Sequence, residues 1–326
     1  MIRFAVIGTN FVTDSLLEAG SQIEDFKLQG VYSRSMGKAK DYAKEHGAPL
    51  TFDSLDDLAA CDEIDAVYVA SPNYLHMSQS IQMMNAGKHV LCEKTIASNS
   101  KELEEMIRVA KENRVVLVEA MRPVFDPGFQ AIKDNLSKLG TIRRATFQYC
   151  QYSRRYDNYK NGVVENAFKP ELSNGAIMDI GVYCVHPFVT LFGMPETIYS
   201  HSIKLDNGAE ASGSVILGYE QMHGELLYAK ITQARTPSQI QGEGGSMVIR
   251  EIPDTVEATI YYNDGTVEEL PIEKKENNMY YEIKEFIRLI EDGESGDEYL
   301  KNSVMELKVM DEVRRQQGIV FPADEV

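Results

Sequence analysis

The hydrophobic positions of the first third of the chain form short continuous runs separated by amphipathic stretches. The runs are four to six residues long and cover residues 2–7, 28–32, 66–70, 89–92 and 115–118. Runs of this length without polar alternation are typical of strands buried on both faces. The stretches 35–46, 74–85 and 99–113 carry apolar residues at helical spacing, as in Leu103, Met106 and Ala110. This alternation predicts an α/β Rossmann domain with a doubly wound parallel sheet.

The pattern changes after residue 121. A long strand is predicted at 142–152, and further strand patterns between 198 and 273 are separated by turns such as Asp206-Asn207-Gly208. Consecutive strands joined by such turns are typical of antiparallel sheets. Helical patterns at 279–291 and 300–317 close the chain. We predict a Rossmann domain at 1–121 and an α+β substrate-binding and oligomerisation domain at 122–326. It has a large, mostly antiparallel sheet, and its C-terminal helix can pack back on the first domain.

Composition narrows the classes of partner. A chain of 326 residues is long for one hydrophobic core, which favours two domains. The formal net charge of −17 argues against nucleic acid and anionic membrane surfaces as partners. No apolar run is long enough to span a bilayer, and no signal peptide is recognisable. The four cysteines form no CxxC pair and have no zinc-site spacing, so we expect reduced thiols, no metal site and a cytoplasmic protein.

A cofactor loop is predicted where the first strand ends at Gly8. Dinucleotide-binding folds place glycines there so that the backbone can approach a pyrophosphate at a helix N-terminus. Here Asn10 and Thr13 occupy the second and third glycine positions. Asparagine tolerates a left-handed backbone, which makes Asn10 a plausible substitute. A plain strand–turn–helix is an equal interpretation of the motif alone. Its place at the head of the βα units favours a cofactor loop of Gly8, Thr9, Asn10, Phe11 and Val12.

The end of the second strand indicates which dinucleotide is bound. Ser33 and Arg34 stand where an acidic residue would bind the ribose hydroxyls of NAD, and Lys38 follows. A hydroxyl group and positive charges suit a ribose 2′-phosphate, so NADP(H) is favoured over NAD(H). The alternative is a helix cap followed by solvated basic residues.

The loop after the fourth parallel strand supplies further candidates for cofactor binding. Ser71, Asn73 and His76 follow that strand, and loops at the carboxyl ends of such strands line the ligand crevice. Ser71 or Asn73 as a helix cap, and His76 as a structural histidine, are equally good interpretations.

Four segments occur in the order seen in a known family: AVIGTN from residue 5, SPNYLH from 71, CEK from 92 and MDIGVYCVH from 178. On these segments the chain resembles the Gfo/Idh/MocA family, which includes glucose–fructose oxidoreductases and inositol dehydrogenases. The segments YSRS, EAM and DIGVY are most similar to its branch of dihydrodiol dehydrogenases, NADP-dependent xylose dehydrogenases and anhydrofructose reductases.

The resemblance implies a catalytic group of Lys94, Asp179 and Tyr183. Lys94 would lie beside the nicotinamide and the reacting carbon, with Glu93 fixing cofactor and lysine. Tyr183 would exchange the proton, assisted by the positive charge of Lys94, and Asp179 would orient Lys94 or a substrate hydroxyl. Asp179 and Tyr183 are four residues apart and would share a helix face. Gly181 between them suggests a close approach of the backbone to a ligand.

The chain departs from the family pattern at two single positions and in the glycine-rich stretch before the catalytic helix, which is reduced to Ser173-Asn174-Gly175. Thr95 replaces the proline that commonly follows the lysine, and Arg122 replaces an aromatic residue after EAM. Arg122 is a candidate for binding an acidic or phosphorylated substrate, or for a salt bridge at the domain boundary. Tyr156 and Asn166 lie in a segment rich in tyrosine, arginine and asparagine, which suits a polyhydroxyl ligand, although a polar surface loop explains it equally.

Three functions are compatible with these features. We expect an NADP(H)-dependent oxidoreductase that transfers hydride between nicotinamide and a sugar, a polyol or a related diol or carbonyl. The alternatives are a dinucleotide-binding regulator without turnover, which Thr95 and the eroded glycine loop favour, and an NAD-dependent glycoside hydrolase. The resemblance also implies a homodimer or homotetramer formed through the sheet of the second domain.

Overall fold

The computed structural model describes residues 1–325, which form two compact units. The first unit contains Met1–Ala120 and Lys275–Val304, and the second contains Met121–Lys274 and the chain from Met305 onward. Residues 275–304 therefore belong with the first unit, whereas the predicted boundary placed them in the second. A helical pattern in the sequence shows which face of a helix is apolar, but not which sheet that face covers.

The first unit is built on six parallel strands in the order β3-β2-β1-β4-β5-β6. The strands are β1 (Ile2–Ile7), β2 (Phe26–Tyr32), β3 (Leu50–Phe52), β4 (Ala66–Val69), β5 (His89–Glu93) and β6 (Leu117–Ala120). The helices between them are α1 (Phe11–Gly20), α2 (Met36–His46), α3 (Leu55–Ala60), α4 (His76–Asn85) and α5 (Ser100–Asn113). This is the strand order of dinucleotide-binding folds, and it confirms the predicted doubly wound parallel sheet.

The strand predicted at 115–118 begins two residues later, at Leu117. Arg114 has a left-handed backbone and ends α5, and the Val115 N–H still donates to the Ala110 carbonyl at 3.1 Å. Val115 therefore completes the end of the preceding helix, whereas Val116 already bonds to β5, since its carbonyl accepts from the Val90 N–H at 2.8 Å.

The second unit contains an eight-stranded sheet in the order β14-β13-β12-β11-β7-β10-β9-β8. The strands are β7 (Ile142–Cys150), β8 (Thr197–Lys204), β9 (Glu210–Gly218), β10 (His223–Ala229), β11 (Ser238–Gly242), β12 (Gly245–Arg250), β13 (Glu257–Tyr262) and β14 (Val267–Glu269). The accompanying helices are α6 (Arg122–Phe125), α7 (Pro127–Asn135), α8 (Arg154–Lys160) and α9 (Val182–Phe192). Only the β7–β10 pair is parallel among these described strands, so the predicted mostly antiparallel sheet is confirmed.

The core of the second unit lies between one face of this sheet and α9. Gly224, Leu226 and Tyr228 alternate into it along β10. Phe188 of α9 meets Phe147 of β7 edge to face, with ring centroids 5.2 Å apart. Period-two alternation on the strands and an apolar helix thus form one packed layer.

Two helices close the chain, α10 (Met279–Asp292) and α11 (Asp297–Gln317). Within the first unit, Phe286 of α10 lies 5.9 Å from Phe4 of β1, ring centroid to ring centroid. The Asn277 side chain donates to the Ser15 carbonyl of α1 at 2.8 Å. In residues 1–325, none of the helices combines the length and the apolar character required to cross a membrane.

Candidate active site

The turn after β1 brings the backbone of the first unit close to the loop after β4. Gly8 has a φ of 118°, and a Cβ atom there would lie 2.5 Å from the Ala70 carbonyl oxygen. Only glycine fits that conformation and that space. The turn therefore lies where the strand order reverses, which is the position at which such sheets bind ligands.

Asn10 and Thr13 replace the missing glycines by hydrogen bonding. The backbone of Asn10 is extended, not left-handed, so the conformational reason we gave for this asparagine is wrong. Its Oδ1 accepts from the Val12 N–H at 2.9 Å and caps α1, while its Nδ2 donates to the Ala70 carbonyl at 3.0 Å. The Thr13 hydroxyl donates to the Gly8 carbonyl at 3.1 Å. Side-chain bonds thus hold the turn, with Thr9 and the exposed Phe11 on it.

The chain after β2 presents its basic groups to solvent. Ser35 is the N-cap of α2 and accepts from the Lys38 N–H at 3.4 Å. Arg34 and Lys38 are exposed, and Ser33 is half-buried. Because Ser35 provides the cap, that structural role does not account for Ser33 or Arg34.

His76 lies in the interior of the first unit and joins two loops. Its Nδ1 is 2.9 Å from the Thr95 carbonyl and its Nε2 is 2.8 Å from the Ser71 carbonyl. Complete burial lowers the pKa of His76, and the charge of Lys94 lowers it further. The alternative of a cap at Ser71 or Asn73 does not hold, since neither the turn Asn73–Leu75 nor α4 has a side-chain cap.

The segment after β5 holds the catalytic lysine candidate. Glu93 is buried and accepts from the hydroxyl of buried Tyr68 at 2.5 Å. Lys94 is half-buried, and its peptide bond to Thr95 is cis. Glu119, at the end of β6, accepts from the Ile96 N–H at 3.0 Å. Buried carboxylates thus anchor the chain on both sides of Lys94, Glu93 through the Tyr68 hydroxyl and Glu119 through the Ile96 N–H.

In the second unit, Asp179 and Tyr183 lie on either side of a change in helix type. Asp179 is in a π-helical turn, Ile177–Gly181, and Tyr183 is in the first turn of α9. Single π turns within helices often occur at functional sites. A Cβ on Gly181 would lie 3.0 Å from the Tyr228 ring. The close approach that requires glycine at position 181 is therefore to a protein side chain, and a ligand contact there stays a prediction.

The ring of Tyr183 lies next to an arginine and a second tyrosine. The Arg122 guanidinium lies 5.7 Å from the centroid of the Tyr183 ring. The Tyr149 ring meets the Tyr183 ring edge to face at 5.7 Å. Arg122 thus places a positive charge over the ring of the candidate base.

Lys230 is a residue that the sequence reasoning missed. It follows β10, and its ammonium donates to Asp179 Oδ2 at 2.6 Å and to the Ala167 carbonyl at 2.8 Å. Its side chain is 2% exposed, against 26% for Asp179. A signal was present, because Lys230 continues the buried alternation of Leu226 and Tyr228 and a lysine there requires a partner.

A second buried carboxylate supports the π turn from β9. Glu210 accepts from the Ile177 N–H at 2.7 Å and from the Tyr228 hydroxyl at 2.7 Å. Burial raises the pKa of Glu210 to about 7. The carboxyl group thus supplies a partner for a backbone N–H at the start of the turn that carries Asp179.

The segment predicted to contact substrate forms an aromatic cluster. Tyr156 of α8 lies 6.2 Å from buried Phe168, centroid to centroid. Asn166 is exposed and begins the short turn Asn166–Phe168, whose Ala167 carbonyl is bonded to Lys230. The segment therefore has contacts that lead to Asp179 through Lys230.

These features define an oxidoreductase with a dinucleotide-type parallel sheet followed by a large antiparallel sheet. The model of an oxidoreductase family with an NAD-binding Rossmann fold matches residues 2–121, and that of the GFO/IDH/MocA C-terminal domain matches residues 129–268. The chain belongs to the Gfo/Idh/MocA family, as its motifs suggested.

Similar proteins include enzymes that act on cyclic alcohols. The scyllo-inositol 2-dehydrogenase (NADP(+)) IolU of Bacillus subtilis is 49% identical over the full length of both chains. The trans-1,2-dihydrobenzene-1,2-diol dehydrogenase of Xenopus laevis is 28% identical and covers 98% of this chain and 99% of its own. The 3-ketoreductase KijD10 of Actinomadura kijaniata, solved with NADP and TDP-benzene, superposes with a TM-score of 0.87. It has 21% identity and covers 98% of this chain and 99% of its own, which shows the shared fold.

Proposed function

We propose that this protein is an NADP(H)-dependent dehydrogenase that oxidises a secondary hydroxyl of a cyclic polyol of the inositol type. The observation that carries the proposal is the 49% identity, over the whole of both chains, to an NADP(+)-dependent scyllo-inositol 2-dehydrogenase. Lys94, Asp179 and Tyr183 are all present. The second relative also acts, by its name, on a ring diol.

The residues of the first unit fit the proposed cofactor. Gly8 allows the backbone to approach a pyrophosphate, and Phe11 opens α1 beside it. Ser33, Arg34 and Lys38 offer a hydroxyl and two positive charges for a ribose 2′-phosphate. Asn10 and Thr13 hold the turn by hydrogen bonds in place of the second and third glycines, which supports a working cofactor loop over a regulator with an eroded one.

The catalytic roles follow from the chemistry of the side chains. A bound nicotinamide supplies the hydride acceptor in oxidation and the hydride donor in reduction. We propose that Tyr183, whose ring lies beside the Arg122 guanidinium, takes the proton of the reacting hydroxyl. Lys94 stabilises the negative charge that develops on that oxygen. Asp179 accepts a hydrogen bond from a substrate hydroxyl, and Tyr156 and Asn166 contact the rest of the polyol.

The proposed function is tested by following NADPH absorbance during incubation with scyllo-inositol, myo-inositol, open-chain polyols and aldoses. We expect reduction of NADP⁺ with a cyclic polyol, and a loss of turnover of about 100-fold or more in Tyr183→Phe. Tyr261→Phe, an exposed tyrosine on β13, is the matched control. Binding of NADPH without turnover on any of these substrates would contradict the proposal and favour a regulator.

We further propose that the protein is a cytoplasmic homo-oligomer. Its four cysteines are free thiols, which supports a reducing compartment. The register of the second sheet places exposed Tyr199 of β8 beside exposed Ile216 of β9. Neighbouring apolar side chains on an outer sheet face support association with a second copy.

A further inference from the structure

A buried lysine outside the family motifs pairs with the aspartate that we propose to bind substrate. The Lys230 ammonium is 2.6 Å from Asp179 Oδ2 and 2.8 Å from the Ala167 carbonyl oxygen, and it lies 4.6 Å from the centroid of the Phe168 ring. With its side chain 2% exposed, Lys230 depends on these partners in place of water. An ammonium buried in this way is held in one position.

The backbone of Lys230 is also held by hydrogen bonds. Its N–H donates to the Ala211 carbonyl of β9 at 2.8 Å, and its carbonyl accepts from the Ser153 N–H at 2.9 Å. Ser153 caps α8, which carries Tyr156. Lys230 therefore joins three parts of the second unit: the sheet, the π turn with Asp179, and the predicted substrate segment.

We propose that Lys230 is a positioning residue for the dehydrogenase reaction, which holds the Asp179 carboxylate as an anion oriented to accept a substrate hydroxyl. The inference rests on the proposed function. It also separates the roles of two residues, because a carboxylate held by an ammonium is a poor proton acceptor and leaves proton transfer to Tyr183. Glu210 also senses the charge of Lys230, but it accepts hydrogen bonds from the Ile177 N–H and the Tyr228 hydroxyl.

The test compares Lys230→Met, Lys230→Arg and Asp179→Asn with wild type. Lys138→Met is the matched control, because Lys138 pairs with Glu268 at the same 2.6 Å but with side chains 39% and 37% exposed. We expect Lys230→Met to lower kcat/KM for the polyol about 100-fold while NADPH binding is retained. Lys230→Arg should recover at least about tenfold of that loss because it restores the charge.

Two further readouts separate positioning from a purely structural role. Without Lys230, the acidic limb of the kcat/KM profile should move to higher pH by about one unit or more, since the carboxylate loses its cation. Asp179→Asn should also cost much less in the Lys230→Met background than in wild type. Lys230→Met with kcat/KM within about threefold of wild type, or multiplicative effects of the two substitutions, would overturn the proposal.

The outcome remains distinguishable from failure of the proposed function. If wild type turns over no polyol, that function fails. A double-mutant cycle of Lys230→Met and Asp179→Asn, measured as free energies of urea unfolding, then tests the interaction of the two side chains without any substrate. If Lys230→Met does not fold, Lys230→Gln, which keeps a hydrogen-bond donor, replaces it in every comparison. Additive effects of the two substitutions on the unfolding free energy would show that Lys230 and Asp179 do not interact, and would overturn the proposal.

Discussion

At the scale of single residues, Arg34 tests the choice of cofactor. It is exposed directly after β2, and the helix cap beside it is Ser35. We expect Arg34→Ala to weaken NADP⁺ binding by about 10- to 100-fold, because a charged hydrogen bond to the 2′-phosphate is lost, and to leave NAD⁺ binding nearly unchanged. Cofactor titrations by fluorescence measure both. Lys40→Ala, at an exposed lysine of α2, is the control. An equal loss of affinity for NADP⁺ and NAD⁺ in Arg34→Ala would refute the role of Arg34 in binding the 2′-phosphate.

At the scale of elements, the π turn Ile177–Gly181 depends on Glu210 of β9. The pKa of Glu210 is raised to about 7 from its ordinary 4.5, chiefly by burial. Because the pKa is higher in the folded chain than in the unfolded chain, protonation of Glu210 stabilises the fold. This contribution to the unfolding free energy is complete below pH 4.5. It is lost as the pH rises through about 7.

We therefore expect Glu210→Gln to flatten this part of the pH dependence of the unfolding free energy. Relative to wild type, the variant should gain up to about 3 kcal/mol between pH 4.5 and 7, because the amide has no charge to bury. Urea unfolding across that range measures the difference. Glu243→Gln, at an exposed site, is the control. A difference between variant and wild type that does not change with pH would show that Glu210 is already charged in the folded state.

At the scale of the whole molecule, the outer face of the eight-stranded sheet tests self-association. Ile216 is 51% exposed and Tyr199 is 65% exposed. We expect Ile216→Asp to convert an oligomer into monomers, since a charge in an apolar interface is costly. Light scattering during gel filtration measures the mass. Val320→Asp, at another exposed apolar site, should leave the mass unchanged, and an Ile216→Asp protein of wild-type mass would exclude this face.

The sequence alone determined the architecture and the main chemistry, because both depend on local patterns. Continuous apolar runs and helical spacing predicted the parallel sheet, and turn signals predicted the antiparallel one. The motifs around Lys94, Asp179 and Tyr183 identified the family, and these three stay predictions as catalytic residues. Local periodicity is a strong signal because side chains repeat every two or 3.6 residues.

Only the tertiary structure decided the features that depend on distant pairings. Lys230 meets Asp179 across 51 positions of sequence, and no local pattern names that partner. The tertiary structure also placed 275–304 with the first unit and gave Asn10 an extended backbone that caps α1. The physical reason is the same in each case. Burial forces polar groups and apolar faces to find partners, and the partner is set by which elements pack together, not by spacing along the chain.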